Sequence, residues 1–306
     1  MVFTSSHTRN RRAAERWHFD VAGVVQGVGF RPFLHGLADT FHLGGWARNT
    51  SRGVELELGG AIAELEQFRE ALINEAPLAH IIHVSVDRVG DVTRPLRGFS
   101  IKSSSADRGR TLVSPDVSTC EACRDEIFDP KERCYRYPFT NCTHCGPRFT
   151  ILDTLPYDRA RTSRAGFEMC PSCANEYTET ADRRYHAQPI ACPECGPSLN
   201  LLDREGRSFG LEPDDVIQDA AERLLNGEIL AIKGLGGYHI ACLARDEVAL
   251  ARLRSSKFRP SKPCALMAPS LISARQVGMV GPEEAQALLS RESTDRYPAQ
   301  AAERAS

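Results

Sequence analysis

From His18 to Val24 (HisPheAspValAlaGlyVal) apolar and polar positions alternate, the pattern of a half-buried strand. The next stretch, ValGlnGlyValGlyPheArgPro (25–32), carries two glycines. It leads into Phe33–Phe41, where apolar residues recur at helical spacing and Pro32 suits a first helical position. Strand-like and helix-like segments go on alternating to about Lys102, and the polar run 103–110 reads as a linker. From about 112 to 199 there is little apolar material between turns. Periodicity returns beyond Leu211, with an amphipathic helix over Asp214–Asn226, a strand over Ile229–Lys233, a glycine loop, and a helix from Asp246 to about Arg254. Residues 1–16 and the run after Ser290 show no apolar period and predict a disordered leader and a disordered tail. The expected divisions are therefore 1–16, 17–104, 105–199, 200–290 and 291–306.

The apolar-poor middle must be held by something else, and its cysteines say what. Eight of them form four C-x2-C pairs: Cys120/Cys123, Cys142/Cys145, Cys170/Cys173 and Cys192/Cys195. Eighteen residues separate the members of each half, and a shift of fifty lays the first half on the second. Arg133-x-Tyr135 recurs as Arg183-x-Tyr185, and Cys145-Gly146-Pro147 as Cys195-Gly196-Pro197. Two thiolates on one tight turn grip one metal ion, and two such turns close a tetrahedral all-sulfur shell, so two structural Zn2+ ions are expected. Consecutive pairing fits the repeat; nested pairing of outer and inner turns is the alternative. A disulfide framework would need an oxidising compartment, and MVFTSSHTRNRRAAER has no apolar signal core. A cytoplasmic location follows. Cys134, Cys242 and Cys264 fall outside the pattern and read as ordinary thiols.

Composition adds little beyond solubility. At 42% hydrophobic and 25% charged residues with a net charge of -2, the chain has no electrostatic drive toward nucleic acid or a membrane surface.

The loop after the first strand is the other candidate for chemistry. Strand, glycine loop and helix N-terminus is a geometry that presents backbone N–H groups to an anion, and Arg31 can add a forked donor. On loop chemistry alone a plain strand–helix connection is the competing reading. The string GVVQGVGFRPF (23–33), with GlyGlyTrpAlaArgAsnThr (44–50) and Gly53-Val54-Glu55 behind it, resembles the acylphosphatase signature. That resemblance covers about Trp17–Lys102 and implies a ferredoxin-like βαββαβ sandwich. It also implies a phosphate-binding loop of Gln26, Gly27, Val28, Gly29 and Phe30, with Arg31 holding the phosphoryl group and Asn49 positioning the attacking water. His35 and His42 receive no role.

The acylphosphatase signature followed by the two cysteine units resembles the HypF carbamoyltransferases of nickel–iron hydrogenase maturation. The segments IleLeuAlaIleLysGlyLeuGlyGlyTyrHisIleAlaCys (229–242) and LysPheArgProSerLysProCysAlaLeuMet (257–267) look like the start of that family's YrdC-like nucleotide domain. Lys233, Lys257, Arg259 and Lys262 then become ligands for ATP and a carbamoyl group; His239 is a weaker candidate. Read without the resemblance, they are a solvated basic turn, and GlyLeuGlyGly is not a dinucleotide fingerprint.

The expected fold class is α+β: a ferredoxin-like acylphosphatase domain, two four-cysteine zinc-binding units, and an incomplete α/β YrdC-like segment. The resemblance implies hydrolysis of carbamoyl phosphate to carbamate, activation with ATP as carbamoyl adenylate, and transfer to the C-terminal cysteine of the partner HypE. Members of the family are far longer, and the transfer domain has no counterpart before Ser306. This chain alone is therefore expected to hydrolyse but not to transfer. Two alternatives stand beside this reading, a zinc-stabilised scaffold that binds a protein partner and a stand-alone acylphosphatase.

Overall fold

The computed structural model describes residues 14–91, 96, 98–105, 109, 111–234 and 237–290. The expected leader up to residue 13 and the expected tail from 291 lie outside the described residues.

The first strand, β1, runs over Ala14–Val24, so pairing begins inside the stretch read as a leader. Trp17, Phe19 and Val21 are buried and Asp20 is exposed, the expected alternation. Helix α1 spans Phe30–Thr40. It starts three residues before the apolar period does, because Gly29 in the left-handed conformation (φ 71°) turns the chain directly into the first helical residue. Pro32 thus sits third in the helix, still within the first turn, where a missing N–H removes no helical bond. Strands β2 (Gly44–Thr50) and β3 (Gly53–Ala61), helix α2 (Ile62–Asn74), β4 (His80–Asp91) and the short β5 (Phe99–Ile101) complete the unit.

The sheet order is β4-β1-β3-β2-β5. β1 lies antiparallel to both β3 and β4, β2 antiparallel to β3, and β5 parallel to β2. With both helices set between strands in chain order, this is the expected βαββαβ arrangement. Leu34, Leu37 and Ala38 of α1 and Leu65, Phe68 and Leu72 of α2 pack with Trp17, Phe19, Leu56 and Leu58 in one core. The Phe19 and Phe68 rings meet edge to face at 5.9 Å. Each fully buried side chain of this size contributes about 1.5–3 kcal/mol.

Residues 151–190 belong to the same compact unit, whereas 116–140, 145–150 and the chain from 191 onward belong to a second. The fifty-residue repeat is visible in the backbone. Helices α3 (Glu121–Phe128) and α4 (Pro171–Thr178) each start one residue after a cysteine, Cys120 and Cys170, which serve as N-caps. Fifteen residues after each of these helices begins, Arg136 and His186 both adopt positive φ, 57° and 54°. Their amides donate to equivalent carbonyls, Ile127 and Tyr177, at 2.8 and 2.9 Å.

The last part contains α5 (Pro213–Leu225), the antiparallel hairpin β6 (Leu230–Lys233) and β7 (Tyr238–Ala241), then α6 (Glu247–Ser256), α7 (Leu271–Val277) and α8 (Pro282–Leu289). Asp246 caps α6 by accepting from the Ala249 amide at 2.9 Å. Ile232, Tyr238 and Ile240 of the hairpin are exposed, as expected of an α/β segment that leaves its strand faces uncovered.

Candidate functional site

The local chain after β1 is built for close approach. Gly27 and Gly29 have φ of 74° and 71°, a region that side chains with a Cβ avoid. A Cβ on Gly29 would also stand 2.7 Å from the Thr143 methyl group. The first amides of α1 have no intrahelical acceptor, so a helix N-terminus faces the loop.

Gln26 is buried and braces this loop. Its Nε2 donates to the carbonyls of Thr50 (2.7 Å) and Gly53 (2.8 Å) across the β2–β3 turn. Its Oε1 accepts from the Tyr157 amide at 2.8 Å. Asn49, next to last in β2 and opposite Val54, is 1% exposed. Its Nδ2 donates to the Tyr157 carbonyl at 3.1 Å, and its Oδ1 is buried with no hydrogen-bond partner. Arg31 in the first turn of α1 is nearly buried. Its Nη1 donates to Asp158 Oδ1 at 2.9 Å and its Nη2 to the Tyr157 carbonyl at 3.4 Å. Two side chains singled out in the sequence, eighteen positions apart, thus converge on one oxygen.

Tyr157 and Asp158 were not singled out in the sequence. They sit between the two cysteine units in a stretch without hydrophobic period, and their docking depends on contacts more than a hundred residues away in the chain. Arg159 anchors the stretch: its amide donates to Gln188 Oε1 (2.7 Å), and its guanidinium to the carbonyls of Gln188, Ile190 and Phe167.

The eight paired cysteines gather as two sets, Cys120/Cys123/Cys142/Cys145 and Cys170/Cys173/Cys192/Cys195. This is the consecutive pairing. Within each set the ligand atoms all lie within 4.8 Å of one another. Cys123 and Cys145 Sγ are 3.5 Å apart, and Cys192 and Cys195 Sγ 3.6 Å. A tetrahedron with Zn–S bonds of about 2.3 Å has edges of about 3.8 Å, so the all-thiol sets fit Zn2+. With four protein ligands each and no position left for water, both would be structural sites.

Cys134 is buried, and Arg184, its equivalent in the second repeat, is buried too and pairs with Glu176 at 3.5 Å. Cys242 is half-buried and Cys264 exposed. His35 packs its ring on Phe99 and Tyr185, and His42 follows the end of α1. Burial first, with the Arg31 charge adding to it, pushes the His186 imidazole down from 6.5 to about 4. Burial also raises the Tyr177 and Tyr185 phenols above their ordinary range.

The basic residues of the last part are less assembled. Lys233 ends β6 with its ammonium 5.0 Å from the Tyr238 ring centroid. Lys257 caps α6, and Arg259 and Lys262 lie on the exposed turn after it. The Arg254 guanidinium gathers that turn by donating to the carbonyls of Arg259, Pro260 and Lys262. His239 lies opposite Ile232 in the hairpin.

Three families match successive stretches of the chain: Acylphosphatase over 17–101, the HypF finger over 119–152 and again over 169–202, and the family described as Telomere recombination, the YrdC-like domain, over 222–296. The carbamoyltransferase HypF2 of Cupriavidus necator is 49% identical over 287 residues, 93% of this chain and 35% of the relative. The crystal structure of full-length HypF in its phosphate- and nucleotide-bound form superposes with a TM-score of 0.83 at 42% identity, over 92% of this chain and 37% of the other. The chain belongs to the HypF family. It corresponds to the N-terminal portion of HypF and spans about a third of the length of the curated relatives it matches. The acylphosphatase of Bacillus licheniformis is 40% identical over 80 residues, 26% of this chain and 84% of that protein. The fold class is thus the one expected of a HypF chain: an acylphosphatase-like sheet, two four-cysteine clusters and a partial YrdC-like domain. Among the described residues no helix is long and apolar enough to cross a membrane.

Proposed function

We propose that this chain is the hydrolytic, N-terminal part of a carbamoyltransferase for nickel–iron hydrogenase maturation, and that its first domain converts carbamoyl phosphate and water to carbamate and phosphate. The convergence of Arg31 and Asn49 beside the glycine loop carries this reading. The amides of Gly27–Phe30 and the Arg31 guanidinium neutralise the phosphoryl dianion. The buried, unpaired Oδ1 of Asn49 accepts a hydrogen bond from water and aims that water at phosphorus. A carboxamide is too weak a base to deprotonate water, and the carbamate leaving group departs without an acid. Catalysis therefore comes from position and charge. Gln26 contributes as the brace between loop, β2–β3 turn and Tyr157.

In the same reading Lys233, Lys257, Arg259 and Lys262 hold ATP for activation of carbamate as carbamoyl adenylate. That a related full-length HypF crystallised in a nucleotide-bound form supports this. Carbamate is short-lived in water, which favours having hydrolysis and activation on one polypeptide. The carbamoyl group then passes to the terminal cysteine of HypE, in the cytoplasm, by a domain beyond this chain.

The test is turnover of carbamoyl phosphate by residues 1–306. We expect Arg31→Ala and Asn49→Ala each to lose at least about a hundredfold in kcat/KM with zinc content unchanged. Unchanged turnover in Arg31→Ala would leave the fingers as a scaffold and the loop without a catalytic role.

A further inference from the structure

We propose that Asp158 and the main-chain carbonyl of Tyr157 are positioning groups of the hydrolytic site, so that the segment between the two fingers completes it. This rests on the reading of Arg31 and Asn49 given above.

Arg31 is nearly buried, and a buried guanidinium needs a fixed counter-ion. Asp158 supplies it: the pair is 2.9 Å long, with the side chains only 10% and 25% exposed. The Tyr157 carbonyl, one residue earlier, takes the other arm of the guanidinium and the Asn49 amide. That bond fixes which way the carboxamide faces. With Nδ2 committed to Tyr157, Oδ1 is the atom left to receive water. The Tyr157 amide in turn is tied to Gln26 of the loop. Arg31 has five N–H donors, and these two contacts leave others for a phosphoryl oxygen.

The supporting segment is itself held firmly. Arg161 donates to the Leu155 carbonyl at 2.6 Å, and Arg159 reaches the carbonyls of Gln188 and Ile190, just ahead of Cys192. The related Bacillus acylphosphatase is matched over 84% of its length by the first domain alone, which leaves no room in it for a finger linker. In this chain the support comes from a separate part of the sequence, 127 positions from Arg31.

The experiment compares wild type, Asp158→Asn, Asp158→Glu and Arg31→Ala in the full chain. Initial rates with carbamoyl phosphate, inhibition by inorganic phosphate, zinc content and melting temperature are read on each. In Asp158→Asn we expect kcat to fall about tenfold or more and phosphate inhibition to weaken, with zinc content close to wild type and the fold retained at a somewhat lower melting temperature. Asp158→Glu should recover part of the rate, and the double variant Arg31→Ala with Asp158→Asn should be no slower than Arg31→Ala alone. Tighter phosphate inhibition with equal or faster turnover in Asp158→Asn would overturn the proposal, because the carboxylate would then be competing with substrate. Loss of zinc or of the fold in that near-isosteric variant would overturn it too, by making the role structural. If Arg31→Ala is inactive while Asp158→Asn behaves as wild type, only the positioning role fails. If Arg31→Ala is fully active, the catalytic reading itself fails.

Discussion

The sheet domain and the finger region bury their interiors to similar depth with a different balance of apolar and polar side chains. In the first, Trp17, Phe19, Phe68, Leu34, Leu56, Leu58, Leu65 and Leu72 are all fully buried and apolar. In the second, cysteines and polar side chains such as Arg148, Arg164, Arg184, Gln188 and Thr162 are buried beside a smaller apolar set that includes Tyr137, Ile151, Tyr157 and Ile190. A guanidinium enclosed in protein gains nothing from the hydrophobic effect and stays only where carbonyls and carboxylates receive it. Burial alone therefore says little about what holds a region together. One interior is stabilised mainly by area removed from water; in the other, four-sulfur sets that fit a metal ion and a dense set of hydrogen bonds stand beside a smaller apolar core.

Stripping the metal should separate the two regions most clearly. With both zinc ions removed by chelation, the finger region should lose on the order of 10 kcal/mol of folding free energy per ion. Limited proteolysis mapped by mass should then cut within 116–202 while 17–101 stays intact. Equal resistance of both regions after verified zinc loss would mean the smaller apolar core holds the fingers by itself. The converse cut is Phe19→Ala, which deletes a ring packed on Phe68. It should cost about 3–5 kcal/mol in urea unfolding of the sheet domain and leave two zinc ions bound.

The smallest effect concerns pH. His186 holds a folded pKa of about 4 against 6.5, so between those values the unfolded chain binds a proton that the folded chain refuses. Stability is therefore fully present above pH 6.5 and declines as pH falls toward 4, by roughly 1–2 kcal/mol once solvent screening is allowed for. His186→Asn, which tolerates the same left-handed backbone, should flatten the melting temperature over that window. An unchanged slope would assign the acid sensitivity elsewhere.

How much could be read beforehand follows the same division. The four-cysteine sets were legible because ligand spacing is a local covalent property: two residues between thiols fix a turn, and the repeat favours the pairing that the fold adopts. The βαββαβ unit was legible because alternation and helical spacing mark strands and helices one at a time, and the glycine loop carries its own conformational requirement. Helix α1 began earlier than its apolar period because Gly29 and helix geometry set the boundary, while Phe33 is only the point where the period becomes visible. Asp158 was invisible for a different reason. An acidic residue after a tyrosine in an irregular stretch has no local mark, and its meaning comes from a guanidinium 127 positions away. The roles of Gln26 and Tyr157 are likewise products of tertiary contact.

The twinned residues Arg136 and His186 reach further than their own turns. Each is held in a left-handed backbone that costs a side-chain-bearing residue about 1–2 kcal/mol and that glycine would accept freely. Two unlike side chains at matching places, bent the same way, are what a mould imposed from outside the strand of peptide would leave. Four sulfurs closing on an ion would be such a mould, leaving the sequence between them free to differ so long as it can be pressed into that shape.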